Sequence, residues 1–323
     1  MKNNNLKGVL TSAAIVAGLV MGAPAGAADL GCKTAKLIVP WGAGGGTDII
    51  FRIFANSINE AGAKPQLQVV NVGGQGGNKG AKEARKAKPD GCTLFAIHQS
   101  AITSYLNGRV DFTWDAFEPV AQVTNTADVF GSAGDVPWKD YEGFKKHALA
   151  NPGKLLTGAT FGSTSQFEWL ILETKTGIKL KYVPFDGTRQ RMTALLSGAI
   201  QLGSLNVTSG KKYLQGGELK AFAIAAEERS KHLPDLPTFK ELGVDMVYGI
   251  VRGVVAPKGT SQKVIDHWAA AIKKATEDPK VMSQMDAKGS EVIYSGPADY
   301  RAWFEQTYKD HEKIAISIGM FKK

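Results

Sequence analysis

The feature that most constrains the fold of this chain is the alternation of short apolar runs with longer segments of helical periodicity. In the first unit, Lys36–Pro40 has the composition of a strand, a glycine-rich turn follows over Trp41–Gly46, and a helix begins at Thr47 or Asp48. The apolar face of this helix is predicted to consist of Ile49, Ile50, Ile53 and Phe54. A strand, a tight turn and an amphipathic helix in this order indicate a βαβ unit.

The same alternation continues along most of the chain. Further strands are predicted at 67–71, 93–97, 119–123, 155–159, 180–184, 200–205, 219–226 and 251–256, and helices near 139–150, 166–176, 189–196, 264–277, 280–288 and 298–318. This pattern predicts an α/β fold with a mainly parallel sheet. Because a single hydrophobic core usually stops growing at about 250–300 residues, we expect two domains. No Pro/Ser-rich linker occurs near residue 124, so strands are expected to cross between them.

The N-terminal segment has the organisation of an export signal. Lys2 and Lys7 give it a positive start, Gly8–Gly22 is a small-apolar run without charge, and Ala25–Ala27 is an A-x-A cleavage site. The alternative is a membrane anchor, but the run is shorter than the roughly 20 apolar residues that span a bilayer. The sequence therefore predicts a signal peptide over residues 1–27 and a periplasmic location for the mature protein.

The charge balance of the chain suits an anionic ligand. The sequence has 39 Lys and Arg against 30 Asp and Glu, and cleavage would remove Lys2 and Lys7, leaving 37 against 30, or a net charge near +7. An excess of this size can raise the rate at which an anion is encountered. Nucleic acid is disfavoured as a partner because the basic residues are dispersed and no finger or helix-turn-helix pattern is present.

The two cysteines predict a disulfide. In an exported chain a single pair is more often bridged than free. Cys32 and Cys92 each stand at the start of an apolar run, and adjacent parallel strands would bring two such starts together. These two cysteines and five scattered histidines are too few for a metal site, and no cofactor is expected.

The strongest local signal for a ligand is the glycine-rich loop over residues 41–48. Glycine lets the backbone approach a ligand, and the following helix presents unpaired N–H groups and the positive end of its dipole. The spacing is neither that of a P-loop nor that of a dinucleotide fingerprint. The loop therefore predicts an anion site, with a tight turn that binds nothing as the alternative. A similar loop at Gly73–Asn78 leaves the same two interpretations open.

Two further strand ends carry polar side chains. His98 and Ser100 follow the carboxyl end of the strand at 93–97, where open α/β sheets place their ligands, although His98 is also compatible with a structural, hydrogen-bonded histidine. The segment Phe161–Gln166 places hydroxyl groups and a glycine at another strand-to-helix turn, where they either grip a carboxylate or cap the helix. Catalysis has little support, because the chain has no Gly-x-Ser-x-Gly elbow, no HExxH motif and no recognisable carboxylate pair.

A series of motifs, in order along the chain, resembles one family of binding proteins. They are Val39-Pro40-Trp41 with Gly44–Asp48, Val70–Asn78, Lys88–Leu94, Asn151–Leu155, Tyr182–Phe185, Pro234–Thr238 and Arg252–Pro257. The chain is similar in these motifs to the Bug receptors, the extracytoplasmic substrate-binding receptors of tripartite tricarboxylate transporters. The similarity extends from about Lys36 to the C-terminal helix and thus over nearly the whole mature chain.

The resemblance implies a monomeric receptor with two Rossmann-like domains and a ligand cleft between them, as in periplasmic binding proteins. Residues 28–124 with 250–323 would form one domain and 125–249 the other. The implied partners are a small organic carboxylate and the large and small membrane subunits of the transporter. The resemblance implies ligand contacts from the 41–48 and 161–166 loops, and by position it adds Thr188 and Asn206. With the residues noted at the strand ends and two arginines, the predicted ligand-binding residues are Trp41, Gly42, Ala43, Gly45, Thr47, His98, Ser100, Phe161, Gly162, Ser163, Thr164, Gln166, Thr188, Arg189, Asn206 and Arg252.

The chain departs from the family pattern at several of these positions. Asp186–Arg191 replaces the usual Lys-Gly with small residues, Ser163 replaces a glycine, and Arg252 replaces an aromatic residue. A guanidinium can grip a distal carboxylate with paired hydrogen bonds, so Arg189 and Arg252 favour a di- or tricarboxylate. Arg189 and Arg191 are also compatible with a solvated helix start, Arg191 more so. A sensor subunit of a signalling system and an enzyme acting on an anionic substrate are the competing functions.

Overall fold

The computed structural model describes residues 30–322, and the segment in which the signal peptide was predicted lies outside them. The strands are β1 (Thr34–Val39), β2 (Gln66–Asn71), β3 (Thr93–Ile97), β4 (Phe117–Ala133), β5 (Leu156–Ala159), β6 (Lys181–Pro184), β7 (Leu202–Asn206), β8 (Leu219–Ile224), β9 (Gly249–Pro257) and β10 (Glu291–Ser295). The helices are α1 (Gly46–Glu60), α2 (Asn78–Lys86), α3 (Ser100–Leu106), α4 (Tyr141–Ala150), α5 (Thr164–Thr176), α6 (Thr188–Leu196), α7 (Val207–Gln215), α8 (Gln262–Thr276), α9 (Pro279–Ala287) and α10 (Pro297–Ser317). This α/β architecture confirms the predicted fold class. The expectation of a mainly parallel sheet is wrong, because every pairing made by β4 and by β9 is antiparallel, and only the β2-β1-β3 and β7-β5-β6 parts are parallel.

The strands are joined in the order β2-β1-β3-β9-β4-β7-β5-β6, with β10 and β8 also paired to β4. The long strand β4 belongs to both parts of the sheet. Its residues from Phe117 to Ala127 pair with β9, whereas those from Asp128 onwards pair with β7 and β8. We call the part built on β1, β2, β3, β9 and β10 the first lobe, and the part built on β5 to β8 the second lobe. The domain boundaries predicted from the sequence fall inside β4 and at the start of β9.

The extent of β4 was underestimated from the sequence, which predicted a strand only over residues 119–123. Two of its buried polar residues are hydrogen-bonded to other elements: Gln122 accepts from Ser295 at 2.8 Å, and Thr126 accepts from Arg252 at 2.8 Å. Buried polar groups are tolerated where such partners exist. A strand of this kind lacks the apolar pattern on which strand prediction depends.

Two large apolar clusters form most of the interior: one lies in the first lobe, and the other extends across both lobes and includes Phe95 and Phe130. In the first lobe, Ile50, Phe51 and Phe54 of α1 pack with Trp268 of α8. The buried face of α1 is therefore rotated from the predicted one, since Ile49 and Ile53 are only partly buried while Phe51 is fully buried. In the second lobe, Phe130 contacts Trp169 and other aromatic rings in the interior. The cluster that spans both lobes contains Phe117 and Phe130 of β4, so this strand is packed on both sides of the point where the lobes join.

The predicted disulfide is present. Cys32 and Cys92 are bonded, with their Cα atoms 6.2 Å apart. They precede β1 and β3, which are parallel neighbours in register at Lys36 and Thr93, so the geometry is the one expected from the two strand starts. Within residues 30–322, no helix combines the length and the apolar composition needed to cross a membrane.

Candidate functional site

A polar cavity of about 560 Å³ lies where the two lobes meet. Its walls come from the loop after β1 and the start of α1 in the first lobe, and from the starts of α5 and α6 and the end of β7 in the second. The position agrees with the general rule that open α/β sheets bind ligands beyond the carboxyl ends of their strands. The sequence placed a ligand site at the same strand ends.

The predicted residues that line this cavity are Trp41, Gly42, Gly45, Thr47, His98, Ser163, Thr164, Thr188, Arg189, Asn206 and Arg252. Ala43, Ser100, Phe161, Gly162 and Gln166 are predicted site residues that lie outside the lining. Gly73 and Gly74 also line the cavity, so the second glycine loop, whose role the sequence left open, faces the cleft. The lining also contains residues outside the predicted ligand-binding set, including Ser165, Asp186 and Arg191, which lie in segments that were considered, and Asp128, Glu168 and Ser204, which were not considered as ligand contacts.

The glycine-rich loop is fixed by one buried carboxylate. Asp48, in the first turn of α1, accepts hydrogen bonds from the backbone N–H of Gly44 at 2.8 Å, from Arg52 at 3.0 Å and from Asn71 at 2.9 Å. Burial raises the pKa of Asp48, but these hydrogen bonds outweigh it and hold the pKa below its usual value. Asp48 therefore stays ionised, and its carboxylate holds the loop by accepting the hydrogen bond from Gly44. Gly46 and Thr47, the first two residues of α1, line the cavity, and the N-terminus of a helix favours an anion.

Trp41 and His98 form one wall of the cavity. Their rings are stacked, with centroids 4.2 Å apart and planes at 8°. The Nδ1 atom of His98 accepts a hydrogen bond from the backbone N–H of Ser100 at 3.1 Å. Burial and the charge of Arg252 hold the pKa of His98 well below its usual value. His98 is thus a neutral, hydrogen-bonded histidine that also lines the cavity, and Ser100 acts by orienting its ring.

The loop at 161–166 is held in place by hydrogen bonds to helix α3 and within the loop. The carbonyl oxygen of Gly162 accepts from Thr103 and Ser104 of α3, both at 3.0 Å, and its N–H donates to Gln166 at 2.8 Å. Ser163 precedes α5 but its side chain makes no capping hydrogen bond. The capping interpretation is therefore wrong for Ser163. Gly162 and Gln166 position the loop so that Ser163 and Thr164 line the cavity.

Two buried arginines lie on the cavity wall. Arg252, only 1% exposed, donates to Thr47 at 3.0 Å and to Thr126 at 2.8 Å, and burial lowers its pKa to about 10. Arg191, 4% exposed, donates to the carbonyl oxygen of Ser204 at 2.9 Å. The expectation that Arg191 is solvated was wrong, because the side chain turns inward from α6 and its stem packs against Gly158 and Gly203. Glycine at these two positions leaves the room that the stem occupies.

Two buried carboxyl groups face the same cavity. Asp128 is 4% exposed and Glu168 is 1% exposed. Burial raises the pKa of Asp128 to about 7, against the charges of Arg252 and Arg191. Burial and the neighbouring Asp128 raise the pKa of Glu168 well above its usual value. Two adjacent carboxyl groups in a desolvated site cannot both ionise easily, so this pair tends to hold a proton. In the sequence, Glu168 is visible only as a lone acid among apolar neighbours.

The mouth of the cavity is bridged by hydrogen bonds between the lobes. Arg189 donates to the carbonyl oxygen of Ala43 at 2.7 Å, and Asp186 accepts from the backbone N–H of Gly76 at 2.9 Å. Asn206, which caps α7, lies so close to α1 that a Cβ atom at Gly46 would be 3.0 Å from its side chain. The segment 186–191, which departs from the family pattern, therefore forms hydrogen bonds with the first lobe.

Among the residues from 30 to 322, no group of three or more His, Cys, Asp or Glu side chains is placed to hold a metal ion. The chemistry available in the cavity is that of backbone amides, hydroxyl groups, guanidinium groups and the carboxyl pair. Such a set can bind a polar, charged molecule and orient it by hydrogen bonds and ion pairs.

Comparison with known proteins gives consistent matches over most of the chain. The model of a family described as "Tripartite tricarboxylate transporter family receptor" matches residues 50–320. A UPF0065 protein from the gbd 5′ region of Cupriavidus necator is 29% identical over 320 residues, which cover 98% of this chain and 96% of that protein. The structure of the periplasmic binding protein BugD is similar with a TM-score of 0.85 at 28% identity, covering 90% of this chain and 99% of that chain. MatC from Rhodopseudomonas palustris, solved with bound malate, is similar with a TM-score of 0.82 at 26% identity, covering 87% and 98%.

Proposed function

We propose that this chain, which belongs to the tripartite tricarboxylate transporter receptor family, is a periplasmic protein that captures a small organic carboxylate in its interlobe cavity. It then delivers the carboxylate to the large and small membrane subunits of the transporter. The observation that carries the proposal is the combination of the N-terminus of α1 with two buried arginines on one cavity. MatC, a structural neighbour, was solved with malate, which is a carboxylate of suitable size for such a site.

The proposed contacts divide between the lobes. The first lobe offers the backbone at Gly42 and Gly46 together with the Thr47 hydroxyl, and the second lobe offers Ser163, Thr164, Thr188 and Asn206. Because each lobe supplies only part of the hydrogen bonds, the full set forms only when the lobes are together. A ligand of this kind therefore stabilises the closed arrangement.

The arginines favour a ligand with more than one carboxylate. Arg252 and Arg191 are buried beside the cavity, whereas Arg189 is exposed at its mouth. A first carboxylate at the start of α1 leaves a guanidinium free to pair with a distal one, and charge-assisted pairs of this type are the stronger hydrogen bonds. The proposed ligand class is accordingly a di- or tricarboxylate.

A thermal-shift screen of organic acids tests the proposal. A ligand that binds only the folded protein stabilises it by mass action and so raises its melting temperature. At a hundredfold excess over its Kd the stabilisation is about 2.7 kcal/mol. We expect di- and tricarboxylates to raise the melting temperature more than monoacids of the same length. The matched amides, which lack the charge, serve as the control. If no carboxylate shifts the transition, the proposed function is wrong.

Two further measurements separate binding for transport from other roles. A receptor returns its ligand chemically unchanged after denaturation, whereas an enzyme would convert it, so recovered ligand is analysed by mass spectrometry. Uptake of the labelled acid by vesicles that contain the membrane subunits should depend on added receptor. Uptake that is equal with and without the receptor would contradict the delivery role.

A further inference from the structure

A second cleft crosses the boundary between the lobes outside the ligand cavity. It has a volume of about 370 Å³ and is lined by parts of α1 and the end of α9 from the first lobe, and by α6 and α7 from the second. It shares no lining residue with the ligand cavity. Gly46 and Asn206, which meet across the boundary, line the ligand cavity, whereas Ile49 and Val207, further along the same segments, line the cleft. The two spaces therefore lie on the same lobe boundary.

The lining of this cleft carries positive charge from both lobes. Lys211 and Lys212 belong to α7 of the second lobe, and Lys288 directly follows α9 of the first. No Asp or Glu within residues 30–322 contributes to the lining, and none of the three lysines forms an ion pair with a described acid. The Nζ atom of Lys211 is 3.2 Å from Nδ1 of His232, and that of Lys212 is 4.5 Å from the centre of the Tyr213 ring. Three ammonium groups therefore stand at the cleft without an ion-pair partner in the described part of the chain.

The start of α7 adds neutral donors to the same cleft. Asn206 caps this nine-residue helix by accepting from the N–H of Ser209, so the N–H groups of Val207 and Thr208 have no intrahelical partner. Thr208 is 8% exposed and lines the cleft, and its hydroxyl has no hydrogen-bond partner among residues 30–322. Buried hydroxyl groups are in most cases hydrogen-bonded in folded proteins. An acceptor bound in the cleft would supply the missing partner.

Lobe closure brings these charges together. Lys288 is followed by Gly289, which packs so closely on Val207 of α7 that no room is left for a Cβ atom. Asp286, two residues before Lys288, forms its ion pair with Lys231 and not with a lysine of the cleft. Like charges at short range repel each other, and water screens the repulsion less in a cleft than on an open surface. The closed arrangement therefore carries a repulsion between the lobes that an anion in the cleft would replace with attraction.

We propose that this cleft is a second anion site, which takes a tetrahedral oxyanion such as sulfate or phosphate and favours closure of the lobes. Such an anion has acceptor oxygens on every side of a compact negative charge. These match the ammonium groups, the Thr208 hydroxyl and the N–H groups at the helix start. Because its contacts come from both lobes, the anion binds the closed arrangement better than an open one. It should therefore raise the affinity of the ligand cavity for a carboxylate, and the carboxylate should raise the affinity for the anion by the same factor.

Isothermal titration calorimetry of the purified protein tests the site. Sulfate and phosphate are first titrated separately, with sodium chloride keeping the ionic strength constant, because salt screens exposed charges. Succinate is then titrated with and without a saturating concentration of the tighter-binding oxyanion. We expect the oxyanion to raise the affinity for succinate at least about fivefold, the lower end of the usual coupling between two sites. An oxyanion that entered the ligand cavity would compete and lower this affinity. A lower or unchanged affinity for succinate would overturn the proposal.

Two substitutions assign the binding to this cleft. Thr208→Val removes a hydroxyl that has no partner among the described residues, so stability in urea should equal or exceed that of the wild type. Its oxyanion affinity should fall about tenfold, which is the size of a hydrogen bond to a charged group. Lys288→Gln should lower the oxyanion affinity at least about threefold, as expected for a partly exposed ion pair, and reduce the effect of the oxyanion on succinate.

Lys309→Gln is the matched control for the loss of charge. Lys309 is exposed on α10 and lies outside the lining of the cleft, and its substitution removes the same charge as Lys288→Gln. The oxyanion affinity of this variant and its coupling to succinate should equal those of the wild type. Wild-type oxyanion affinity in both Thr208→Val and Lys288→Gln would mean that the anion binds elsewhere, and the inference would be wrong.

The outcomes distinguish this inference from the proposed function. If carboxylates bind but neither oxyanion does, the second anion site is wrong and the carboxylate receptor stands. If an oxyanion binds and both cleft variants weaken it while no carboxylate binds, the second site stands and the proposed function fails. In that case small-angle scattering measures closure directly. A radius of gyration that the oxyanion leaves unchanged would contradict its effect on the lobes.

Discussion

The Nε atom of Arg252 donates a hydrogen bond to the hydroxyl oxygen of Thr47 at 3.0 Å, across 205 positions of the sequence. Thr47 is in the first turn of α1, and Arg252 is in β9 near the point where the lobes join. The bond therefore holds the start of the helix, with its N–H groups, against the strand that passes behind the cavity. The same bond fixes the orientation of the Arg252 guanidinium group.

Replacing Thr47 with Val should weaken both folding and binding. Valine has nearly the same shape but leaves the Arg252 N–H buried without its acceptor, which costs about 1–3 kcal/mol in the free energy of unfolding. We expect carboxylate affinity to fall about tenfold, because the guanidinium loses its fixed orientation. Urea unfolding and calorimetry measure the two effects. Thr276→Val is the control, because the Thr276 hydroxyl donates to the carbonyl oxygen of Lys273 in α8, away from the cavity. The carboxylate affinity of this variant should equal that of the wild type.

Replacing Gly46 with Ala should reduce affinity without reducing stability. The added Cβ atom would lie 3.0 Å from the Asn206 side chain, which its bonds to Ser209 keep in place. Overpacking of this kind costs about 1–3 kcal/mol, and here it acts against lobe closure. The helix itself gains from alanine. Affinity should therefore fall at least about fivefold while the urea midpoint stays level or rises.

Gly296→Ala is the matched control for this substitution. Gly296 also stands at the start of a helix, and the nearest atom to an added Cβ there is the Tyr294 hydroxyl oxygen at 3.7 Å. Its ligand affinity should equal that of the wild type. An unchanged affinity in Gly46→Ala would show that the lobes bind the ligand without approaching as closely as in this structure.

Stability without added ligand should fall as the pH rises from about 4 to 7. Burial raises the pKa of Asp128 from 3.8 to about 7, so between these values the folded protein holds a proton that the unfolded chain has released. The free energy of unfolding then decreases with pH in that window, by about 1.4 kcal/mol for each pH unit at most. Asp128→Asn should flatten this slope in urea titrations.

Glu241→Gln serves as the control for the pH experiment. Its carboxylate is held below its usual pKa by the backbone N–H of Thr238 and by Arg229, so it is ionised over most of the range from about pH 4 to 7. The slope of this variant should match that of the wild type. A slope in Asp128→Asn as steep as in the wild type would mean that Asp128 is not the group that holds the proton.

Loss of the disulfide should destabilise the first lobe. Cys32 and Cys92 are separated by 60 positions, and in the chain-entropy model a loop of this length contributes about 4 kcal/mol to stability. The double substitution to Ala should lower the free energy of unfolding by roughly this amount, measured by urea unfolding. Thiol titration of the denatured, unreduced wild type should find no free thiol. Two free thiols would contradict the bond.

The sequence alone determined the elements around the cavity. The predicted turn at Trp41–Gly46 lies between β1 and α1, where glycine permits the close backbone approach that the turn requires. The pairing of Cys32 with Cys92 was predictable because both stand at the starts of strands. The family was identified from motifs spread along the chain, and the family model that matches residues 50–320 confirms it. These features depend on local residue order, which a sequence displays directly.

Only the tertiary structure decided which polar side chains face the cavity. Arg191 starts a helix and was expected in solvent, but Gly158 and Gly203 on two neighbouring strands open a channel for its stem. Glu168 and Asp128 are far apart in sequence and carry no motif, yet strand β4 and helix α5 bring them together. Their burial, and with it their raised pKa values, depends on surfaces contributed by distant segments. Local sequence does not encode such proximity, because the electrostatic environment of a side chain is set by everything that packs around it.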